Sequence, residues 1–193
     1  SFQGKDLLVG SDQVGYFIRS SKDGRYLWHA KRQYSGDFGV PAPVVHGTSI
    51  LFTGENNGLQ VFDLETIASA TPIKSPQFSN DLLLPDTHTP VIVGDQVLVA
   101  YEGLHALKLD GLDIIWSAAE DTIHTYASII ASEDRALVMT ESNELLLFDN
   151  NDGQLIDSMT LAEDGGPLLS HPAIVSDRLL IRVGSEVRCY DLR

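Results

Sequence analysis

The stretch Pro43-Val44-Val45-His46-Gly47-Thr48-Ser49-Ile50-Leu51-Phe52-Thr53-Gly54-Glu55-Asn56-Asn57-Gly58-Leu59-Gln60-Val61-Phe62-Asp63 decides the fold. It sets an apolar pair, a polar turn, an apolar triplet, a second polar turn, and a third apolar run closed by an acidic residue. Working outward, the same order returns from Pro90 to Asp110, from Ile129 to Asp149 and from Ala173 to Asp191. A first copy, lacking its opening strand, begins near Leu7-Leu8-Val9. Leu8, Leu51, Leu98, Leu137 and Leu180 mark the period, at intervals of 39 to 47 residues that average 43.

A repeat of that length reads as a propeller blade of about 40–50 residues or as a helical repeat. The segments settle which. They are short, alternating or wholly apolar, rich in Val, Ile, Leu, Phe and Tyr, and parted by Gly, Asn and Asp, which is strand patterning without helical periodicity. Each copy leaves room for a fourth strand, and two of these carry tryptophan, in Gly24-Arg25-Tyr26-Leu27-Trp28 and Leu112-Asp113-Ile114-Ile115-Trp116. Lys22-Asp23-Gly24 and Asn150-Asn151-Asp152-Gly153 supply tight turns before the outer strands. A four-stranded sheet with two apolar faces buries both only by stacking on others around an axis. The expectation is an all-β β-propeller of four-stranded antiparallel blades, with the tryptophans wedged between neighbouring blades at the outer edge.

The predicted blades run approximately 1–38, 39–84, 85–123, 124–166 and 167–193, about four and a half repeats forming one array over 1–193. The strand inventory is three in the first copy, four in each of the next three and three in the last. Both end copies hold the second and third strands, so they do not complement each other in a closed ring. The expectation is the C-terminal portion of a larger seven- to eight-bladed ring whose remaining blades lie upstream.

Composition bounds the function. The chain has 193 residues and a net charge of -14, so a phosphate backbone is repelled and nucleic acid is not expected as a partner. Apolar runs such as Leu82-Leu83-Leu84 fall far short of the roughly 20 residues of a membrane helix. No signal peptide is visible at the start. Cys189 is the only cysteine, which excludes an intrachain disulfide and paired-cysteine zinc sites, and its apolar alternating run predicts a buried thiol.

The segments Leu147-Phe148-Asp149-Asn150-Asn151-Asp152-Gly153-Gln154-Leu155-Ile156 and Ser20 to Trp28 resemble the quinoprotein-type (pyrroloquinoline-quinone-like) propeller repeat, in which an aspartate, three turn residues and a glycine lead into a strand closing on tryptophan. Pro90 to Asp95 and Pro172 to Asp177 match its inner-strand signature. The resemblance covers nearly the whole chain. Asp157 stands in the tryptophan column of the fourth copy, nothing aromatic fills it in the second around Ile67 to Thr71, and Pro72 to Asp81 reads as an extra stretch. The Gly-His and Trp-Asp marks of WD40 repeats and the paired glycines of kelch repeats are absent. The resemblance implies one of two kinds of protein. One is a cofactor-free binding scaffold, such as the propeller lipoprotein of the bacterial outer-membrane β-barrel assembly machinery. The other is a pyrroloquinoline-quinone-dependent alcohol or sugar dehydrogenase holding the quinone with calcium. Fold alone does not choose.

No Ser-His-Asp order, phosphate loop, close carboxylate pair or short histidine spacing stands out among the residues. Aligning the copies places Pro43, Pro90, Ser128 and Pro172 in one column, Ala42, Thr89, Ala127 and His171 in the next, and Pro41, His88, Tyr126 and Ser170 before that. Asp86 and His124 lie two positions further back. Asp86, His88, His124, Tyr126 and His171 would then line the mouth of the central channel, as a ligand site or as an ordinary wet entrance. Tyr34, Phe38 and Phe78 suit either a sugar- or peptide-binding loop or inter-blade packing. The turn Asp149 to Gly153 reads as a hairpin, since Thr160 stands where a calcium loop needs its closing Glu. The expected function is a non-catalytic scaffold with a protein partner and no cofactor, periplasmic or at the cell surface by resemblance. The alternative is the C-terminal part of a quinone-dependent oxidoreductase.

Overall fold

A computed structural model describes residues 1–37, 39–68, 72–124, 126–162 and 166–193. Among these residues, eighteen strands form five antiparallel sheets. The first holds β1 (Leu7–Ser11), β2 (Gly15–Ser20) and β3 (Tyr26–Lys31). The second holds β4 (Val44–His46), β5 (Ser49–Gly54), β6 (Gly58–Asp63) and β7 (Phe78–Asn80). The third runs β8 (Val91–Val93), β9 (Gln96–Ala100), β10 (Leu104–Lys108) and β11 (Ile114–Ala118). The fourth runs β12 (Ala127–Ala131), β13 (Arg135–Thr140), β14 (Glu144–Asp149) and β15 (Leu155–Thr160). The fifth ends with β16 (Ala173–Val175), β17 (Arg178–Val183) and β18 (Glu186–Asp191). The strand inventory is the one the sequence gives: the first sheet lacks its innermost strand and the fifth its outermost. Inner strand β4 lies against β8, and β8 against β12, so the sheets radiate from an axis as blades.

Alternation along the middle strands explains the stacking. In β5, Ile50 and Phe52 join Tyr16, Ile18, Trp28 and Phe62 in the seam between the first and second blades. Leu51 points the other way and packs with Val61, Val97, Val99 and Leu107 between the second and third. Leu98, Ala106 and Trp116 meet Ala136, Val138 and Phe148 between the third and fourth. Met139, Leu145 and Leu161 meet Leu179, Ile181 and Val183 between the fourth and fifth. Each seam thus buries the facing sides of two blades, which a lone sheet cannot achieve.

The tryptophans sit where expected, and the structure shows how they are held. Trp28 Nε1 donates to the Ile73 carbonyl at 2.9 Å, and Trp116 Nε1 to the Asn150 carbonyl at 3.0 Å, each reaching the following blade. Gly153, at φ +75°, lies so close under the Trp116 indole that a Cβ there would overlap the ring. In the equivalent turn of the first blade, a Cβ at Gly24 (φ +71°) would meet nothing within 4 Å. The third blade holds this left-handed position with Leu112, at φ 59°. A bulge interrupts the pairing of the two outermost strands at Ile18/Arg19, Ala106/Leu107 and Leu147/Phe148, the same level in three blades.

Four sequence expectations are corrected. The residue opposite Val61 in the outermost pairing is Phe78, the register position that Trp28, Trp116 and Asp157 hold opposite Ile18, Ala106 and Leu147. The tryptophan column of the second copy is therefore aromatic, and its fourth strand lies inside the stretch read as extra. The displacement has a local cause. One helical turn, α1 (Leu64–Ile67), capped by Asp63 Oδ1 accepting from Glu65 N–H, replaces the tight hairpin. Secondly, Val9 rather than Leu8 pairs as Leu51, Leu98, Leu137 and Leu180 do. Thirdly, Ile130 pairs with Leu137 as Val44 does with Leu51, so Ile129, not Ser128, shares a column with Pro43, Pro90 and Pro172. Lastly, Cys189 is exposed. It pairs with Leu180 on the face of the fifth blade opposite to Leu179 and Ile181, which cover the fourth.

Candidate functional site

Antiparallel blades send every outer-to-inner crossover over the same face of the propeller. That face also carries the turns between second and third strands. Correcting the register by one residue regroups its side chains. His88 shares a column with Pro41, Ala127 and Ser170, and His171 with Ala42, Thr89 and Ser128. Tyr126 joins Val40, Thr87 and Leu169, three positions before the inner-strand column. Val40, Tyr126 and Leu169 are 55 %, 41 % and 60 % exposed, so three of the four positions in this column carry exposed apolar side chains at the inner rim, parted at the third blade by half-buried Thr87. Tyr34, Leu82 and Val14 expose further apolar surface on the same face.

The sequence-predicted residues differ in burial. His88 is buried, and its Nε2 accepts from the Ala100 N–H at 2.9 Å. That bond fixes the neutral ring with its proton on Nδ1, which finds no hydrogen-bond partner among the described residues. Burial, and then the neighbouring His171, lower its pKa to about 4, so it stays neutral at physiological pH. His171, His124 and Tyr126 are exposed, and Asp86 is half-buried. Tyr34 is exposed, and its backbone is clasped by Asn57, while Phe78 packs into the seam with Val97 and Leu107. Phe38 lies outside the described residues.

A buried polar cluster on this face had no sequence signal. Asp37, in the first crossover, accepts from Asn56 N at 3.0 Å, Asn56 Nδ2 at 2.7 Å and Asn57 Nδ2 at 2.6 Å. Burial works against its ionised form, but those bonds and the Arg32 charge hold its carboxyl below the usual range. Asn57 Nδ2 also donates to the Tyr34 carbonyl at 2.9 Å, so the crossover is laced to the turn between β5 and β6. Arg32 and Tyr16 lie beside this lacing, both buried.

The Asp149 to Gly153 segment is a hairpin turn. Asp149 Oδ1 accepts from Asn151 N–H at 2.9 Å, and Asn150 Nδ2 reaches the Ser132 carbonyl at 2.6 Å. Among the described residues, no three His, Cys, Asp or Glu side chains come together as a metal-holding group. No helix among them is long and apolar enough to cross a membrane.

Radial antiparallel blades of three or four strands, two of them fastened by outer-edge tryptophans and opening onto one loop-bearing face, define the chain as a β-propeller. Among the solved structures it resembles is BamB from Moraxella catarrhalis, with a TM-score of 0.69 and 15 % sequence identity. The match covers 95 % of this chain and 52 % of that one, so this chain spans about half the length of the protein it resembles. No protein-family model matches the sequence, and no curated protein does.

Proposed function

We propose that this chain is a non-catalytic β-propeller scaffold that docks a protein partner on its crossover-loop face. The observation that carries the reading is the exposure of the apolar side chains Val40, Tyr126 and Leu169 at structurally equivalent positions of different blades. Side chains exposed at one level around an axis offer a shared contact level to one partner, whereas singly scattered ones do not. The fold shared with BamB supports a scaffold, and the repeat's resemblance to periplasmic and cell-surface propellers supports that location. The net charge of -14 favours a partner with a basic margin around an apolar centre.

The test places a photo-crosslinking residue at Val40, Tyr126 or Leu169, and as controls at Leu155 or Ile156 on the exposed outer strand β15, in the native host. Adducts from these rim positions and none from β15 are the expected result. Adducts only from β15 would refute the docking face. Thermal unfolding with pyrroloquinoline quinone plus calcium is expected to leave the midpoint unchanged, and a rise of several degrees would move the protein to the oxidoreductases.

A further inference from the structure

Arg32 follows β3 into the seam between the first and second blades. Its guanidinium is buried, yet Nε, Nη1 and Nη2 find no hydrogen-bond partner among the described residues. Its Cζ lies 5.3 Å from the centroid of the Tyr16 ring, and the Tyr16 hydroxyl is equally buried and equally unpartnered. Buried polar groups are almost always paired, and an unpaired buried cation is the most costly exception. Asp37 offsets the charge of Arg32 but leaves its N–H groups unmet: its oxygens accept from Asn56 and Asn57, and no hydrogen bond joins it to Arg32.

Two glycines frame the charged end. A Cβ at Gly54 would stand 3.4 Å from Asp37 Oδ2 and 3.6 Å from Arg32 Nη1, so this position keeps the ground between the two charges clear. Gly39 is exposed, and a Cβ there would stand 3.8 Å from Arg32 Nη2. The guanidinium therefore ends beneath Gly39, an exposed crossover position that carries backbone alone, with its nitrogens closed to water as the chain lies.

The chemistry of the donors names the ligand. Arginine presents planar paired N–H groups that match two coplanar oxygens, and the tyrosine hydroxyl adds one more donor. Burial, opposed by Arg32 and reinforced by Asp37, pushes the Tyr16 pKa up to about 12, which keeps that donor protonated. Asp37 offsets the charge of Arg32, so a singly charged planar group is repelled less than a dianion. We propose that Arg32 and Tyr16 form a receptor for one carboxylate group, gripped bidentately by the guanidinium and capped by the tyrosine hydroxyl. A free small acid and the C-terminus of a peptide present the same group. The site is built from its own residues and does not depend on the docking reading.

The experiment follows the Arg32 Nε–Hε resonance of the whole chain by NMR, assigned by its loss in Arg32→Lys. The probes are sodium acetate, a tripeptide with a free C-terminus, and its C-terminal amide, at constant ionic strength. A saturable shift with acetate or the free tripeptide, and none with the amide, is expected. Saturation by acetate identifies a small acid as sufficient, and saturation by the free tripeptide alone identifies a chain terminus. Tyr16→Phe keeps the ring over the guanidinium and is expected to weaken binding about tenfold, the value of one hydrogen bond to a charged group. Absence of saturation by either carboxylate up to about 100 mM, well above a millimolar dissociation constant, overturns the proposal. So does an equal response to chloride or sulfate, or unchanged affinity in Tyr16→Phe.

Discussion

The seam between the third and fourth blades and the seam between the fourth and fifth begin from nearly the same outer strand. Ile114-Ile115-Trp116 and Leu155-Ile156-Asp157 hold the same register against β10 and β14. In the first, the third residue is buried and bonded to the Asn150 carbonyl, while in the second the whole of β15 is exposed. The inner halves of the two seams are alike, each a set of buried aliphatic side chains. A blade therefore has two fastenings, an apolar one near the axis that every seam owns and an aromatic one at the rim that is optional. Where the rim fastening is missing, a polar substitute works from the other side, with Arg188 Nη1 donating to the Leu161 carbonyl.

The difference can be broken or sharpened. Trp116→Ala removes a buried indole and its bond to the Asn150 carbonyl, and is expected to cost about 3–5 kcal/mol in urea unfolding. The third blade, where His88 in the entering crossover accepts from the Ala100 amide of β9, should respond to acid instead. His88 is neutral when folded, with a pKa of about 4 against about 6.5 in the unfolded chain, so the unfolded state binds more protons between those values. Stability is full above pH 6.5, falls as pH drops towards 4, and loses about 3 kcal/mol in all. His88→Gln should flatten that slope in unfolding curves measured at stepped pH. Gly153→Ala must strain a left-handed backbone and also lift the Trp116 indole, at about 2 kcal/mol. Gly24→Ala strains the same backbone position with open space around it, at about 1 kcal/mol, so thermal unfolding of the pair separates the groove from the turn. Asp157→Trp is the smallest effect and the direct test. An added rim fastening is expected to raise stability by about 0.5–1 kcal/mol, and a loss would show that the fifth blade offers the indole no seat.

The five copies, the strand inventory and the buried tryptophans are legible because apolar patterning reports sheet burial directly. Register is less legible. Ile129-Ile130-Ala131 has no proline to mark the start of its strand, and Leu7-Leu8-Val9 is apolar throughout, so a one-residue slip leaves the pattern intact. Phe78 escaped because α1 breaks the spacing between the third and fourth strands of its blade. The face of Cys189 could not be read because alternation says which residues share a side, not which side is covered. Of the predicted channel-mouth residues, Tyr126 shares the exposed apolar column, but His88 spends its Nε2 on a backbone amide, a tertiary pairing that no spacing encodes. Arg32 and Tyr16 gave no signal because a cation after a strand and an aromatic within one are ordinary until a crossover folds over both.

The bulge shared by three blades bears on how reliably the chain assembles. At each bulge the outermost strand carries one residue more than its partner, placed just before the position that enters the seam. A hairpin closed one residue out of step would offer Ile115 to the groove over Gly153 and leave Trp116 in water. Only the correct count brings an indole N–H to the waiting carbonyl, so at Trp28 and Trp116 a miscounted hairpin would forfeit its fastening to the next blade.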